Sequence, residues 1–465
     1  MTAADSFLPA WPLQLPPLLW FAVTLVVAAV AGEALYRRLR LPRITGYVLA
    51  GLVAGSLGGG IVRGELVGPN GAVGWAAIVA ELALGVLLFE LGNRVNLRWL
   101  RENPWLLATS ALEALLTFGA VYALLIWLQA ATNEALLVAA ISMATAPAIV
   151  MRVVVESRAQ GQVSDRLLVL TALNTVYTVI AVQPLMGWLH QSYRGDPVSA
   201  VLHPVYLIAG AVLGGAAVGG LLRVLRNRLL LDDDHAAAVL VGVVLAAVLV
   251  LKMLKLPVLL TLLIAGLLMR NVLGRPYAWP RGLHAITGLL VVTLFVLTGI
   301  AVQLEHVIAG GLVALALIAL RTLAKTGAVL LLARPSGITL KQGVALGAAL
   351  TPMSGVAFVL TYDLLAVFPE LAQRVAETVL AAIAILELFG PIVVRWVLHW
   401  TQETGEAEAP PMPAARIRPL REPAGDAVSL VARAVSSQRG APTEPTEPTE
   451  PTPPPLRPVT LRRAA

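Results

Sequence analysis

Apolar residues fill this chain in long uninterrupted runs, and polar residues fall between the runs or at a few points inside them. Coiled as α-helix, about 20 such residues match the thickness of a bilayer core. The pattern predicts about thirteen spans, at 16–35, 44–60, 74–92, 104–129, 134–155, 166–189, 202–222, 235–252, 257–273, 284–303, 307–333, 339–365 and 372–399. Span six breaks the apolar monotony. In LTALNTVYTVI, residues Thr171, Asn174, Thr175 and Thr178 recur at i, i+3, i+4 and i+7 and form one polar stripe. A stripe of that kind faces protein or water, not lipid.

Two spans are interrupted in the same way. Span five reads EALLVAAISMATAPAIVMRVVV, with Thr145, Ala146 and Pro147 at its centre, and span twelve reads LKQGVALGAALTPMSGVAFVLTYDL, with Thr351, Pro352, Met353, Ser354 and Gly355 at its centre. Proline removes a backbone donor and clashes with the preceding turn, and in span twelve a nearby glycine relaxes the chain further, so each span unwinds at mid-membrane. Unwound backbone at that depth survives only where it is buried in protein or lines a cavity. Two such breaks, one in each half, point to an inverted-repeat transporter with its site at the midplane. A pair of proline-kinked structural helices is the alternative.

Ionisable residues accompany the breaks. Span four carries Glu113, span eleven carries Arg321, Thr322, Lys325 and Thr326 in ALRTLAKTGA, and span thirteen carries Glu387 in AILELFGP. Arg321 and Lys325 lie one turn apart on one face, too deep to snorkel easily, so they need partners or a wet cavity. Glu113 and Glu387 are the obvious partners of a structural pair, and a direct transport role stands equally open. Glu81 and Glu90 lie on span three; Glu81 suits a helix interface, and Glu90, near the cytoplasmic end, is expected to reach water.

Composition narrows the class. With 58% hydrophobic residues, 13% charged and a mean hydropathy of +0.81, the 465 residues cannot be a soluble globule; they read as an all-α polytopic membrane protein, which the paired breaks make a transporter and not an enzyme, and no cofactor is expected. The net charge of +7 sits mostly in short loops and the tail, which marks topology and not a nucleic-acid partner. Basic residues follow the odd spans, as in Arg37, Arg38, Arg40 and Arg43, or Arg223, Arg226 and Arg228, so the N-terminus is expected outside and the C-terminus in the cytoplasm. No basic region precedes Leu18, and the first span reads as a retained helix. With no cysteine there is no disulfide and no thiolate metal site. Residues 401–465, Pro-, Glu- and Thr-rich with PTEPTEPTEPTPPP, read as a disordered cytoplasmic tail behind a transmembrane domain at 1–400. No G-x-G-x-x-G follows a strand, so no nucleotide-sensing domain is expected.

The ordered set of stretches resembles the cation:proton antiporter superfamily, in particular the bacterial branch with sodium/proton and glutathione-gated potassium/proton exchangers. LPRITGYVLAGLVAG resembles the family's second helix, ELALGVLLFELGNRVNLRWLR its third with the basic loop, MATAPAIVMRVV the first crossover, RTLAKTGA the helix with the basic residue, LTPMSGVAFVL the second crossover, and ILELFGPIVVR the last helix. The resemblance implies a core, spans four to six and eleven to thirteen, sliding against a scaffold that forms a homodimer in the inner membrane. It also implies alternating access and monovalent cations (Na⁺ or K⁺) and protons as substrates.

At the site this chain departs from the family. Members usually carry Asp-Asp or Asn-Asp on span six, the second aspartate being the ion carrier, and here the positions read Asn174 and Thr175. A threonine hydroxyl can coordinate a cation but cannot carry the proton. Lys325, whose usual counter-ion is missing, is the first substitute, followed by Glu387 and Glu113. Thr145 and Ser354 would line the cavity beside Pro147, Pro352 and Gly355, with Thr171, Asn174 and Thr175 as neutral oxygens. Two other readings stay open: Arg321, Lys325 and two half-helix N-termini suit an anion or organic acid, and a transport-inactive sensor or scaffold is the third.

Overall fold

A computed structural model describes residues 17–66, 75–194, 197–229, 233–272, 283–302 and 304–405. They form helices α1 (Pro17–Leu39), α2 (Arg43–Leu66), α3 (Trp75–Arg94), α4 (Leu97–Glu102), α5 (Pro104–Trp127), α6 (Thr132–Ser142), α7 (Pro147–Glu156) and α8 (Gln162–Arg194). The chain continues through α9 (Pro197–Leu229), α10 (Asp233–Met253), α11 (Val258–Asn271), α12 (Leu283–Ala301), α13 (Leu304–Leu331), α14 (Leu340–Ala349), α15 (Gly355–Val367) and α16 (Pro369–Trp400). Among the described residues there is no strand. Eight segments among them are long and apolar enough to cross a membrane by length and composition, and four shorter apolar helices accompany them.

Both interrupted spans are broken helices. The first runs as α6, stops at Ser142, and restarts as α7 with Pro147 at its first position, where the missing N–H costs nothing. The second opens with a capping box between Thr339 and Gln342, stops at Ala349, and restarts at Gly355 after a non-helical stretch through Pro352. The breaks meet: the Ala146 N–H donates to the Pro352 carbonyl at 2.9 Å. Around this contact α13 packs on α5, α14 and α16, and α16 packs on α6, α7 and α15.

Elsewhere, small residues bring backbones together, as is usual between helices in lipid. A Cβ on Gly266 of α11 would lie 2.1 Å from the Phe89 carbonyl of α3, and one on Gly51 of α2 would lie 2.4 Å from the Val296 carbonyl of α12.

Ordered chain extends past the predicted domain limit at 400. Thr401–Gly405 fold back on the α7–α8 connection, where Gln160 N–H donates to the Glu403 carbonyl at 2.9 Å and Gly405 N–H to the Ser157 carbonyl at 3.1 Å. The Glu403 carboxylate caps α8, accepting from the Val163 and Ser164 N–H groups at 2.8 and 2.7 Å. By contacts the chain divides into Met1–Ala407 and Glu408–Ala465. The rest of the predicted tail, 406–465, lies outside the described residues.

Candidate functional site

The polar stripe of α8 is buried in protein: Thr171, Asn174, Thr175 and Thr178 are all inaccessible to solvent. Thr171 and Thr175 donate their hydroxyl protons to carbonyls one turn earlier, Leu167 at 2.7 Å and Thr171 at 3.0 Å. Asn174 reaches out instead. Its amide donates to the Thr145 hydroxyl at 3.0 Å, and Thr145 donates to the Leu350 carbonyl at 3.2 Å. The first break is thus joined both to the stripe and to the second break. The Asn174 Oδ1 atom has no hydrogen-bond partner among the described residues.

Arg321 and Lys325 of α13, both fully buried, divide the remaining work. The Arg321 guanidinium donates to the Ser142 carbonyl at 2.7 Å and to the carbonyls of Ala144 and Thr351. Those carbonyls stand at the C-terminal ends of α6 and α14, where the helix leaves acceptors unpaired and its dipole is negative. One cation therefore satisfies both broken ends. The Lys325 ammonium pairs with the Glu113 carboxylate of α5 and also lies 3.2 Å from the Met143 carbonyl and 3.4 Å from the Thr145 hydroxyl.

The usual counter-ion on span six is absent, and of the two partners the sequence offered Lys325, Glu113 and Glu387, it is Glu113 that pairs with it. Glu113, far away in sequence, supplies a buried carboxylate where span six has none. The excess positive potential on which the anion reading rests is offset as well: Lys325 is paired, and Arg321 is spent on three carbonyls. The second Glu113 oxygen, Oε2, is buried without a partner among the described residues.

Glu387 does not join that cluster. It is fully buried on α16 beside the hydroxyls of Thr298 and Ser354, yet neither carboxylate oxygen makes a well-formed hydrogen bond among the described residues. Ser354 is the N-cap of α15 and makes no side-chain cap bond. One turn along α16, a Cβ on Gly390 would come 2.9 Å from Pro352 Cβ, so this face of α16 lies directly on the second break. Glu81 pairs with Lys252 of α10 at 2.7 Å, in a helix interface. Glu90 is buried and pairs with Arg94 at 2.7 Å, so it does not simply reach water as expected.

Sequence reasoning missed the carbonyl clamp of Arg321, the Met143 carbonyl beside Lys325, and Thr298 beside Glu387. Two of these are backbone or distant-helix contacts that carry no sequence signal. The clamp had one: an arginine at mid-span in a chain with two breaks has two helix ends with free carbonyls within the membrane to satisfy.

A family model described as "Sodium/hydrogen exchanger, transmembrane" matches residues 22–400. A glutathione-regulated potassium-efflux system protein of Haemophilus influenzae is 24% identical over 406 residues, which cover 83% of this chain and 62% of that protein. The chain thus spans less than two thirds of that relative. Two structures of the sodium proton antiporter MjNhaP1 from Methanocaldococcus jannaschii share the fold. One, at pH 8, has a TM-score of 0.58 at 17% identity, covering 83% of this chain and 96% of the other. The second, an electron-microscopy structure, has a TM-score of 0.61 at 18% identity, covering 83% and 95%.

Proposed function

The chain belongs to the sodium/hydrogen exchanger transmembrane family, and on that premise we propose that it is a secondary transporter exchanging a monovalent cation, Na⁺ or K⁺, for a proton by alternating access. It is an integral multi-pass membrane protein. In this reading it works in the inner membrane with its N-terminus outside, as a homodimer.

The observation that carries the reading is the position of the Lys325 ammonium among three oxygens: the Glu113 carboxylate, the Met143 carbonyl and the Thr145 hydroxyl. An ammonium is itself a monovalent cation, and oxygens that hold it in a dry interior suit a dehydrated alkali ion equally well. The two compete for one carboxylate. When a metal cation arrives, Lys325 gives its proton to the side then open and withdraws as a neutral amine, leaving Glu113 paired with the metal. When a proton returns, the ammonium re-forms and the cation leaves. Each arrangement contains one buried positive charge against one carboxylate, so neither leaves an uncompensated charge. Asn174 would hold Thr145 in place and offer its unpartnered Oδ1 to the ion.

The test is proton flux in proteoliposomes holding a preset pH gradient, with Na⁺, K⁺ or Li⁺ added. Wild type is expected to dissipate the gradient on addition of one of these ions. Lys325→Met and Glu113→Gln are expected to lose at least about a hundredfold in rate, or roughly 2.7 kcal/mol in the barrier, at normal protein levels. A wild-type protein silent towards every cation would overturn the reading.

A further inference from the structure

We propose that Glu387 is a second ion-binding position of the transporter, separate from the Glu113–Lys325 pair, which takes a proton and exchanges it for the transported monovalent cation. The inference rests on the exchange reading above and adds a site to it. Glu387 is inaccessible to solvent, and both its oxygens lack a well-formed hydrogen bond among the described residues. A carboxylate in that position needs a compensating proton or cation, since an unpaired charge in a dry interior costs several kcal/mol.

None of the surrounding charges provides the compensation. On α13, Arg321 and Lys325 are committed to carbonyls and to Glu113. On α7, Arg152 and Glu156 group with Arg43 of α2 and with Arg395 at the far end of α16. Glu134 of α6 pairs with Arg374, Asp363 of α15 lies near Glu81 and Lys252, and Lys341 of α14 lies over the Trp400 ring. Glu377 of α16 lies nearer the start of that helix and is partly exposed.

The position is also built for an ion and not merely left empty of partners. Glu387 lies beside the hydroxyls of Thr298 from α12 and Ser354 from the second break, so oxygens from three helices converge there. Ser354 precedes the N-terminus of α15, whose first N–H groups receive no side-chain cap. The close approach of Gly390 to Pro352 ties this carboxylate to the broken segment that also contacts Ala146. A change of occupant at Glu387 therefore bears on the same contact that joins the two breaks.

Counting competing protons tests the proposal. The flux rate is measured at stepped pH with Na⁺ or K⁺ fixed well below saturation. With two protons displaced by two cations per cycle, the wild-type rate is expected to fall by about 100-fold per unit fall in pH at the acid end, and the Glu387→Gln rate by about tenfold. Equal slopes in the two proteins overturn the proposal. A second measurement needs no variant. Dicyclohexylcarbodiimide adds to a protonated carboxylic acid in an apolar site, leaving a stable N-acylurea that retains all atoms of both reactants. In the wild-type protein at acid pH the Glu387 peptide is expected to gain the reagent's mass, and saturating Na⁺ or K⁺ to prevent it. A peptide that stays unmodified, or is modified equally with and without the cation, sinks the inference. Absence of any cation-driven flux in wild type would instead overturn the exchange reading itself.

Discussion

Thr175 occupies the position at which the family resemblance leads one to look for an aspartate, and it spends its hydroxyl proton on its own helix. The carboxylate that Lys325 meets comes from α5 instead, through Glu113. If the negative charge has moved between helices while the oxygen cage stayed in place, it can be moved back. Glu113→Gln combined with Thr175→Asp is expected to recover at least about tenfold of the flux that Glu113→Gln loses, measured in the same vesicles. Stability separates the pair's structural share from its transport share. Removing either partner alone leaves a buried charge and should cost roughly 3–5 kcal/mol, seen as a lower unfolding temperature in detergent. Lys325→Met with Glu113→Leu should recover most of that stability and none of the flux. The residues themselves were legible: mid-span ionisable groups are rare enough that each stands out. Their pairing was not, because Glu113 and Lys325 are 212 positions apart and only packing selects Glu113 over Glu387.

Broken helices are the elements that proline and glycine announce, and α6–α7 and α14–α15 break where Pro147, Pro352 and Gly355 stand. What no local pattern announces is that one arginine from a third helix satisfies both broken ends. Nor does the composition of the tail reveal that its first residues belong to the ordered unit. Pro- and Glu-rich sequence reads as solvated, yet Glu403 caps the start of α8, the helix that carries Asn174. Glu403→Ala should cost about 1 kcal/mol at that helix end and speed amide exchange at Val163 and Ser164 by about fivefold, with exchange deeper in α8 unchanged. Close helix crossings give the opposite kind of sensitivity. Gly266→Leu drives a side chain into the Phe89 carbonyl and should lower the unfolding temperature by separating α3 from α11.

At the scale of the whole molecule, the absence of cysteine makes topology directly testable. A single cysteine at Gln129, in the α5–α6 turn, should react with a membrane-impermeant maleimide from outside intact cells, and one at Gln402 only after the membrane is opened. The reverse pattern would invert the proposed orientation. Much of the architecture needed no coordinates. Span-length apolar runs dictate a helical membrane protein, because a bilayer has no water to satisfy free backbone groups, and prolines at mid-span mark where helices can break, as at Pro147 and Pro352, although α16 runs on through Pro391. Those are local constraints, each met within a few turns of chain. The charge balance of the site is not local. Whether Lys325 is paired, whether Arg321 is free to attract an anion, and which carboxylate is left without a partner depend on which helix faces which. Only the tertiary packing decides that, since in the membrane interior a charge is stable only beside the partner that packing brings to it.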